Sequence, residues 1–456
     1  EFITLYGRRR VGKTYLIREF FSKKRCHFFH ATGLQGGKLQ VQLRKFTEAL
    51  SHTFFDKVSL VPPKNWNEAF NILNTQIAKC KGKVVIFLDE LPWLATRKSN
   101  VLQELDYYWN RYWAGMPNVI LVVCGSSASW LIKKIIYNKG GLHNRTTCQM
   151  RLLPFTLTET KEYLKSRGVR LTNSHVLSLY MALGGIPYYL RYVEAGLSAQ
   201  QNIQRIIFEE NGPLSSEYAR LFDSLFENAA AYKELVELIS QKREGLSRAE
   251  LVTKAKLSEA GGRLSERLQD LVATCFIEEY VPWGQKRGEY YKVVDEFCLF
   301  YLYFVAPHLG KKFAHDYWIH QAQRPTYYAW AGYAFEAVVL KHIDRVLRAL
   351  DIQASSTIGP WRFIARAGDE EKGVQIDLVI DRSDNAVTLC EMKFTDIPFA
   401  VDKAYAEKLR YTVELFKRKT GISKQHFVAF IASSGLKNTM YSEEMVQNVV
   451  TLDDLF

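Results

Sequence analysis

The stretch "FITLYGRRRVGKTYLIREFF", residues 2–21, decides the fold of the first part of this 456-residue chain. The apolar run Phe2–Tyr6 predicts a strand, and it leads into "GRRRVGKT" at residues 7–14, which precedes a segment with helical periodicity. Two glycines at this spacing let backbone N–H groups turn inward, and the following helix adds the positive end of its dipole. The spacing and the strand–loop–helix context are those of a P-loop, which predicts a site for the phosphates of a nucleotide.

Individual roles follow from the chemistry of ATP or ADP bound to such a loop. Lys13 is placed to reach the terminal phosphates, and Thr14 supplies a hydroxyl ligand for Mg²⁺. The other residues expected to contact the nucleotide are Gly7, Arg10, Val11, Gly12 and Tyr15. The arginines at residues 8–10 are expected to act mainly through their backbone, although an outward-pointing arginine could contact nucleic acid.

A second strand signal, "KVVIFLDELPWL" at residues 83–94, ends in a pair of acids. Its five apolar residues, 84–88, predict a buried parallel strand. At the carboxyl end of that strand, Asp89 would hold Mg²⁺ through water, and Glu90 would orient or deprotonate the attacking water. The alternative is a surface acid pair that merely follows a strand.

Two further segments carry candidate residues for the terminal phosphate. "NVILVVCGSSASW", residues 118–130, predicts a third strand ending in serines, and Ser126 either senses that phosphate or caps a helix. Arg145 precedes a predicted strand at residues 146–152 and could stabilise transition-state charge, in cis or from a neighbouring subunit of a homo-oligomer. The alternative is an ordinary surface arginine. Thr156 and Glu159 match a capping box at the start of predicted helices.

These motifs occur in one order. "YGRRRVGKT", "FLDE", "CGSS", "RLLPF" and "GGIPYYL" resemble the archaeal and bacterial AAA-like ATPases of the STAND-related group, over roughly residues 1–215. The resemblance implies an ATP-hydrolysing P-loop core at residues 1–155 and a helical lid at residues 156–213.

The middle of the chain, residues 214–295, has the layout of a winged helix-turn-helix. Ser247 and Glu250 match a second capping box, and two strand-like segments flank the basic turn "GQKRG". The third helix would expose Arg263 and Arg267, and the wing would expose the cations at residues 286–287, all of which could meet DNA. The alternative is a module that only packs against other domains. The aromatic segment at residues 296–330 predicts a connector that packs in a core.

Near the far end, "VQIDLVIDRSDNAVTLCEMKF" at residues 374–394 predicts two strands around a polar turn. Alternation places Ile376, Leu378 and Ile380 on one face of the first strand, and Asp377 on the other. Pairing of the strands would bring Asp377 to Glu391 and Lys393. Carboxylates so placed could bind Mg²⁺ or Mn²⁺ for phosphodiester cleavage, with the lysine lowering the pKa of a water or stabilising the charged intermediate.

The preceding segment predicts one amphipathic helix at residues 327–350, and Glu336 on it could complete the metal ligands. A strand is expected next, at residues 361–368. This set resembles the PD-(D/E)XK nuclease superfamily over about residues 331–456, which implies a restriction-endonuclease-like α/β domain. The alternatives are a solvated, charge-paired face and a domain that keeps the fold without the activity. Six nearby cations could follow a phosphate backbone: Lys341, Arg345, Arg348, Lys403, Lys408 and Arg410.

Composition agrees with a basic, multidomain α/β protein. The formal net charge of +13 suggests an anionic partner such as DNA, and the longest apolar block, residues 297–306, is about half of what a membrane span needs. Seven cysteines without a CxxC pair argue against a disulfide framework or a zinc site, and favour the cytoplasm. The chain begins within a strand and without Met, so further residues are expected upstream.

The leading hypothesis is an ATPase that controls a metal-dependent DNA nuclease. The alternative is an ATP-driven switch that binds nucleic acid or protein and carries a catalytically silent nuclease-like domain.

Overall fold

The computed structural model describes the chain except for residues 97–98, 137–144, 227, 255–261, 285–287, 366–367 and 369–370. Its contacts divide the chain into two compact units. The first unit comprises residues 1–154, 221–229 and 261–275, and the second comprises residues 155–220, 230–260 and 276–456. The chain therefore passes repeatedly from one unit to the other.

A parallel sheet forms the centre of the first unit. Its strands are β1 (Phe2–Tyr6), β2 (Cys26–Thr32), β3 (Lys83–Asp89), β4 (Val119–Gly125) and β5 (Cys148–Arg151). They lie in the order β2-β3-β4-β1-β5, and each neighbouring pair is parallel. The predicted strands are confirmed, although β5 is shorter than the predicted segment 146–152. The parallel α/β sheet expected of a P-loop NTPase is present.

Helices cover both faces of this sheet. They are α1 (Lys13–Ser22), α2 (Leu39–Phe54), α3 (Trp66–Lys79), α4 (Leu91–Leu94), α5 (Val101–Arg111) and α6 (Ala128–Leu131). Strand β3 shows why both faces need cover: Ile86 packs in one buried cluster, and Val85 and Phe87 pack in another that contains Ile17 of α1. A strand segment buried on both faces is apolar throughout, as residues 84–88 of β3 are.

Helices dominate residues 157–223. They are α7 (Leu157–Ser166), α8 (Asn173–Leu183), α9 (Pro187–Leu190), α10 (Ala199–Ile203) and α11 (Glu217–Asp223). The capping box of Thr156 and Glu159 is confirmed at the start of α7. Gly185 separates α8 from α9, and a Cβ there would lie 1.9 Å from the backbone oxygen of Phe155, so this position requires glycine. The assignment of these helices as a lid stays a prediction.

The next segment contains α12 (Ala229–Ser240), β6 (Leu246–Ser247), α13 (Arg248–Lys254), α14 (Gly262–Ala273), β7 (Ile277–Tyr280) and β8 (Tyr290–Val293). The strands form an antiparallel sheet in the order β6-β8-β7. Hydrogen bonds between Ser247 and Glu250 confirm the second capping box. Helix α14, which carries Arg263 and Arg267, groups with the first unit, where Lys133 Nζ lies 2.9 Å from Glu266 Oε1.

The winged-helix interpretation of this segment stays a prediction. The two wing cations at residues 286–287 lie outside the described residues.

Helices α15 (Glu296–Phe300), α16 (Tyr317–Gln321), α17 (Pro325–Lys341) and α18 (Ile343–Ala349) follow. The aromatic segment packs in a core as predicted, with the rings of Phe300 and Trp318 4.8 Å apart. The prediction of one continuous helix over residues 327–350 is wrong, because the chain leaves helical geometry at His342 (φ −109°, ψ 28°). The buried His342 ring accepts a hydrogen bond from Leu157 N at 2.9 Å and contacts Val338 O at 2.7 Å. None of the helices in the described part of the chain combines the length and apolarity needed to cross a membrane.

A mixed sheet forms the C-terminal part of the second unit. Its strands are β9 (Ser356–Phe363), β10 (Val374–Arg382), β11 (Ala386–Lys393), β13 (Gln425–Ala432) and β15 (Asn448–Thr451), and the intervening elements are β12 (Phe399–Ala400), α19 (Lys403–Thr420), β14 (Leu436–Lys437) and α20 (Met440–Met445). The order is β15-β13-β11-β10-β9. Strands β9, β10 and β11 pair antiparallel, whereas β13 and β15 are added in parallel.

Two predictions for this sheet are corrected. Strand β9 begins at Ser356 and ends at Phe363, earlier than the predicted residues 361–368. Pro360 is tolerated inside it because β9 lies at the sheet edge. The simple alternation on β10 is also wrong, because the register with β9 shifts between Ile376 and Val379. This bulge lets Ile376 pack in the same buried cluster as Val379, instead of with Leu378 and Ile380.

Candidate functional site

The loop after β1 is shaped by residues with positive φ. Gly7 has φ 147°, and a Cβ there would lie 2.1 Å from the backbone oxygen of Leu152. Arg10 (φ 72°) and Gly12 (φ 95°) then turn the chain into α1, which begins at Lys13. A loop of this form, ending at a helix N-terminus, is an anion-binding element.

Two charged side chains of the loop, those of Lys13 and Arg8, are buried inside it. Lys13 Nζ donates to the backbone oxygens of Gly7 and Arg8, each at 3.0 Å. Burial lowers the pKa of the Lys13 ammonium, and the nearby Glu90 opposes that shift. The Arg8 side chain is fully buried and donates a hydrogen bond to the backbone oxygen of Arg9. Arg8 therefore stabilises the loop through its side chain and not only through its backbone.

Asp89 lies at the carboxyl end of β3 and gathers three polar neighbours. Thr14 Oγ1 donates to Asp89 Oδ2 at 2.9 Å, and Cys124 Sγ donates to Oδ1 at 2.7 Å. His30 Nε2 lies 3.5 Å from Oδ2. Burial would raise the pKa of Asp89, but hydrogen bonds from His30, Cys124 and Thr14 outweigh it, so that pKa lies below its ordinary value. The ionised carboxylate beside the Thr14 hydroxyl is a pair of oxygen ligands that suits Mg²⁺.

His30 and Cys124 were missed by sequence reasoning. His30 lies near the end of β2 and Cys124 near the end of β4, the two neighbours of β3 in the sheet. The available signal was a polar residue close to the carboxyl end of β2 and of β4. That signal becomes informative only when the order of the strands in the sheet is known.

Glu90 is held by Ser126. It has φ 48°, in the left-handed region, and its carboxylate accepts hydrogen bonds from Ser126 Oγ at 2.5 Å and from Ser126 N at 2.9 Å. The carboxylate is thus fixed beside the Asp89 end of the sheet, where a general base would have to stand. Ser126 was expected either to sense phosphate or to cap a helix; its backbone N–H and its hydroxyl both donate to Glu90, and its role toward a phosphate stays a prediction.

The remaining predicted residues of this site differ in exposure. Val11 is buried in the loop, whereas Tyr15 on α1 is 71% exposed. Arg145 is exposed and lies three residues before β5. Their roles toward the nucleotide stay predictions.

The family comparison agrees with this geometry. Residues 1–193 match the model of an ATPase domain found predominantly in Archaea. The chain therefore contains a P-loop ATPase domain within the matched residues. This stretch contains the P-loop together with Asp89, Glu90 and Ser126.

A curated relative and two solved structures were also found to be similar to this chain. The protein MJECL04 of Methanocaldococcus jannaschii, described as uncharacterised, is 25% identical over 402 residues, which are 87% of this chain and 83% of that protein. Among solved structures, the Walker-type ATPase PABY2304 of Pyrococcus abyssi is 17% identical with a TM-score of 0.45, covering 66% of this chain and 91% of that one. The ORC2 protein of Aeropyrum pernix is 11% identical with a TM-score of 0.41, covering 75% and 89%.

Beyond the ATPase domain, the predicted carboxylates lie on α17 and the β10–β11 hairpin. Asp377 is in the bulge of β10, and its Oδ2 accepts a hydrogen bond from Met392 N at 3.0 Å. β-Bulges next to functional sites commonly redirect a side chain, and here the bulge sits at the carboxylate. We use the term acid site for Glu336, Asp377 and Glu391.

Glu391 is held by two donors. Its Oε2 accepts from Lys393 Nζ at 3.0 Å and from Tyr405 Oη at 2.6 Å. The lysine lies over the Tyr405 ring, 5.5 Å from its centroid. Tyr405, on the first turn of α19, was missed by sequence reasoning, because a tyrosine on an amphipathic helix gives no signal by itself. Burial and the neighbouring Glu391 raise its pKa, so it remains a donor at all ordinary pH values.

Asp377 lies in an environment that disfavours its charge. Burial raises its pKa, and Glu391 raises it further, against smaller opposing effects from the Met392 amide, Lys393 and Arg243. A cation between two neighbouring carboxylates stabilises the charged form of both. The pair of Asp377 and Glu391 therefore fits a divalent ion by its chemistry.

Glu336 is turned to a different partner. Its carboxylate forms an ion pair with Arg243, whose guanidinium Nη2 also lies 3.8 Å from Asp377 Oδ1. Within the described part of the chain, no three His, Cys, Asp or Glu side chains converge closely enough to hold a metal ion. The predicted three-carboxylate ligand set is therefore not formed in this arrangement, and no signal in the sequence pointed to Arg243.

The predicted cations around the acid site have varied surroundings. Lys341 pairs with the buried Glu296 at 2.5 Å, and Arg410 with Glu444 at 2.8 Å. Arg345 donates to Thr158 Oγ1 at 3.1 Å. Arg348, Lys403 and Lys408 are exposed. Lys403 and Lys408 flank Tyr405 on α19, so they are better placed to meet a phosphate backbone than Lys341.

Proposed function

We propose that this protein is an ATPase that controls a metal-dependent nuclease acting on DNA through its acid site. The observation that carries the proposal is the meeting of Asp377, Glu391 and Lys393 at one end of the β10–β11 hairpin, with Glu391 bonded to Lys393 and the pKa of Asp377 raised by burial and by Glu391. Partly buried carboxylates with perturbed pKa values beside a lysine are commonly functional.

In this proposal, Asp377 and Glu391 would hold Mg²⁺ or Mn²⁺, with Glu336 as a third ligand once it is released from Arg243. A divalent ion bound there would polarise the scissile phosphate and lower the pKa of a bound water. Lys393 would remain beside the reacting phosphate, because its ammonium already lies between Glu391 and the face of Tyr405. Tyr405 would keep Glu391 oriented.

A nucleic acid is the substrate best matched to the charges. The chain carries a formal net charge of +13, and Lys403 and Lys408 are exposed on the same first two turns of α19 as Tyr405. Lysines spaced along a helix beside the acid site would contact successive phosphates and make binding salt-dependent.

Two observations support control by ATP: the polar residues gathered at the nucleotide site of the first unit, and the repeated passage of the chain between the two units. Glu90, Asp89 and Thr14 supply what hydrolysis requires, and the chain passes repeatedly between the unit that holds them and the unit that holds the acid site. Binding and hydrolysis of ATP could therefore bias the second unit through covalent connections.

The test is cleavage of supercoiled plasmid and of single-stranded DNA by the purified chain with Mg²⁺ or Mn²⁺, with and without ATP. We expect metal-dependent cleavage that Asp377→Asn abolishes and that Lys13→Ala uncouples from ATP. Intact ATP hydrolysis without cleavage under any of these conditions would contradict the nuclease proposal and leave the ATPase standing.

A second candidate function is an ATP-driven switch with a catalytically silent nuclease-like domain. The ion pair of Arg243 with Glu336 favours it, since a cation already occupies part of the acid site. Under this alternative, DNA binding would respond to ATP, and Asp377→Asn would leave that response unchanged.

A further inference from the structure

The turn between α12 and β6 reaches the acid site. Arg243 lies in this turn, and its guanidinium contacts the Glu336 carboxylate and lies 3.8 Å from Asp377 Oδ1. The same guanidinium stacks over the Tyr333 ring, 4.1 Å from its centroid. All four residues belong to the second unit. A guanidinium held by two carboxylates and an aromatic face has a fixed orientation.

The residues next to Arg243 anchor the turn. Lys242 Nζ lies 2.6 Å from Glu250 Oε1, and Arg362 Nη1 lies 2.8 Å from Glu244 Oε1. Gly245 has φ 77°, and a Cβ there would lie 1.9 Å from the backbone oxygen of Tyr291, so the turn fits closely against β8. The flanking residues thus hold the turn, while Arg243 points its charge at the acids.

Charge balance explains why the arginine rests there. Of the three carboxylates of the acid site, Glu391 is bonded to Lys393. Glu336 and Asp377 are left for Arg243, whose guanidinium reaches both. A divalent ion needs the same carboxylate oxygens, and two cations cannot occupy them together.

We propose that Arg243 is an internal plug of the acid site, which competes with the divalent ion for Glu336 and Asp377 and keeps the site inactive until the turn withdraws. This inference rests on the proposed metal-dependent function. The plug is removable: the Arg243 side chain is 33% exposed and Tyr333 is 50% exposed, so the guanidinium can leave without opening a core. Glu250 and Arg362 hold the turn through their ion pairs with Lys242 and Glu244. A movement of either partner would shift the turn and carry Arg243 away from the acids.

The test is a titration of the full-length, nucleotide-free chain with Mn²⁺, with free Mn²⁺ followed by electron paramagnetic resonance. Binding at the acid site is the part that Asp377→Asn removes. We expect Arg243→Ala to tighten that binding about tenfold, because it removes the competing cation. The matched control is Lys254→Ala, which removes the same charge from an exposed position on α13 of the second unit, outside the turn and its anchors, and should leave the affinity within about twofold. Arg243→Lys should lie between the wild type and Arg243→Ala.

The outcomes separate the two proposals. Asp377-dependent binding that is equal in the wild type and Arg243→Ala, or weaker in Arg243→Ala, overturns the plug and leaves the metal site standing. Absence of Asp377-dependent binding in both proteins overturns the proposed function and the plug with it. Thermal unfolding of each variant, followed by circular dichroism, checks that the variant is folded. Arg243→Gln is a second variant that removes the charge while it retains most of the side-chain length.

Discussion

The nucleotide site and the acid site differ in where their cations come from. At the nucleotide site, Lys13 belongs to the loop that it stabilises, and its ammonium donates to the backbone oxygens of Gly7 and Arg8. At the acid site, Arg243 arrives from a turn far from Glu336 and Asp377 in the sequence. A site built from one contiguous motif can be recognised in the sequence, whereas a site completed by a distant side chain can be recognised only in the fold.

The difference also concerns what each site is ready to do. Asp89 is held ionised by three hydrogen-bond donors, beside Thr14 and near Glu90. Asp377 has a raised pKa, and Glu336 is occupied by an arginine. Under the proposed function, the nucleotide site would therefore bind ATP and Mg²⁺ without rearrangement, whereas the acid site would have to release Arg243 before it could bind a metal ion. If this difference holds, a substitution at one site should leave the binding of the other site's own ligand unchanged.

The largest expected effect is at Glu90. Glu90→Gln removes the proposed base while keeping a similar shape, so we expect kcat for ATP hydrolysis to fall about a thousandfold with ATP binding retained. The measurement is release of inorganic phosphate, paired with equilibrium binding of a fluorescent ATP analogue. Glu19→Gln on α1, whose carboxylate pairs with Lys23, is the control and should hydrolyse ATP normally. Near-normal ATP hydrolysis by Glu90→Gln would show that another residue acts as the general base.

A smaller loss is expected at Lys13. Lys13→Ala removes the loop's own ammonium and, with it, the contact that we expect with the terminal phosphates, so hydrolysis should fall about a hundredfold and ATP should bind more weakly. Lys23→Ala, at the exposed end of α1, removes the same charge and should have little effect. The same preparation of Lys13→Ala should bind Mn²⁺ at the acid site as the wild type does; a parallel loss there would mean that the two sites are not separable.

At the acid site, Asp377→Asn should weaken Mn²⁺ binding by about ten- to a hundredfold, since it replaces a charged ligand by a neutral one. ATP hydrolysis should be unchanged. The control is Asp381→Asn on the same strand, whose carboxylate pairs with Lys424 at 2.6 Å and takes no part in the acid site. Isothermal titration calorimetry measures the affinity. Equal Mn²⁺ binding by the two variants would contradict the assignment of Asp377 as a ligand.

The smallest effect concerns the pH dependence of stability in the second unit. Burial lowers the pKa of His342 below its ordinary value of 6.5, and the neutral ring accepts from Leu157 N. The unfolded chain therefore binds this proton more readily, so the contribution of His342 is complete above pH 6.5 and is lost as pH falls through the lowered pKa. We expect the free energy of unfolding to drop between pH 7.5 and 5.5 because of this group.

Urea unfolding at several pH values measures this dependence. His342→Gln should be less stable than the wild type at pH 7.5 and should show a flatter pH profile. His315→Gln alters a histidine whose side chain is 94% exposed, so it should retain the slope of the wild type. If the free energy of unfolding changed equally with pH in His342→Gln and in the wild type, a group other than His342 would be responsible for the pH dependence.

Prediction from the sequence succeeded where signals are local. The loop of residues 7–14, the strands β1, β3 and β4, and the capping boxes at Thr156 and Ser247 all depend on residues that are neighbours in the chain. The failures have non-local causes. One helix was expected over residues 327–350, and it breaks at His342 because that ring bonds to Leu157 in another segment.

The sequence by itself determined the nucleotide-binding loop, the acids that follow β3 and the pairing of the β10–β11 hairpin, because each is encoded by a contiguous pattern of glycine, charge and apolar residues. Only the tertiary structure decided that Cys124 and His30 meet Asp89, that a bulge carries Asp377, and that Arg243 lies on Glu336. The physical reason is the distance along the chain over which each feature is determined. Backbone geometry is set within a few residues, whereas the partner of a buried charge is set by whichever side chain the fold brings into contact with it.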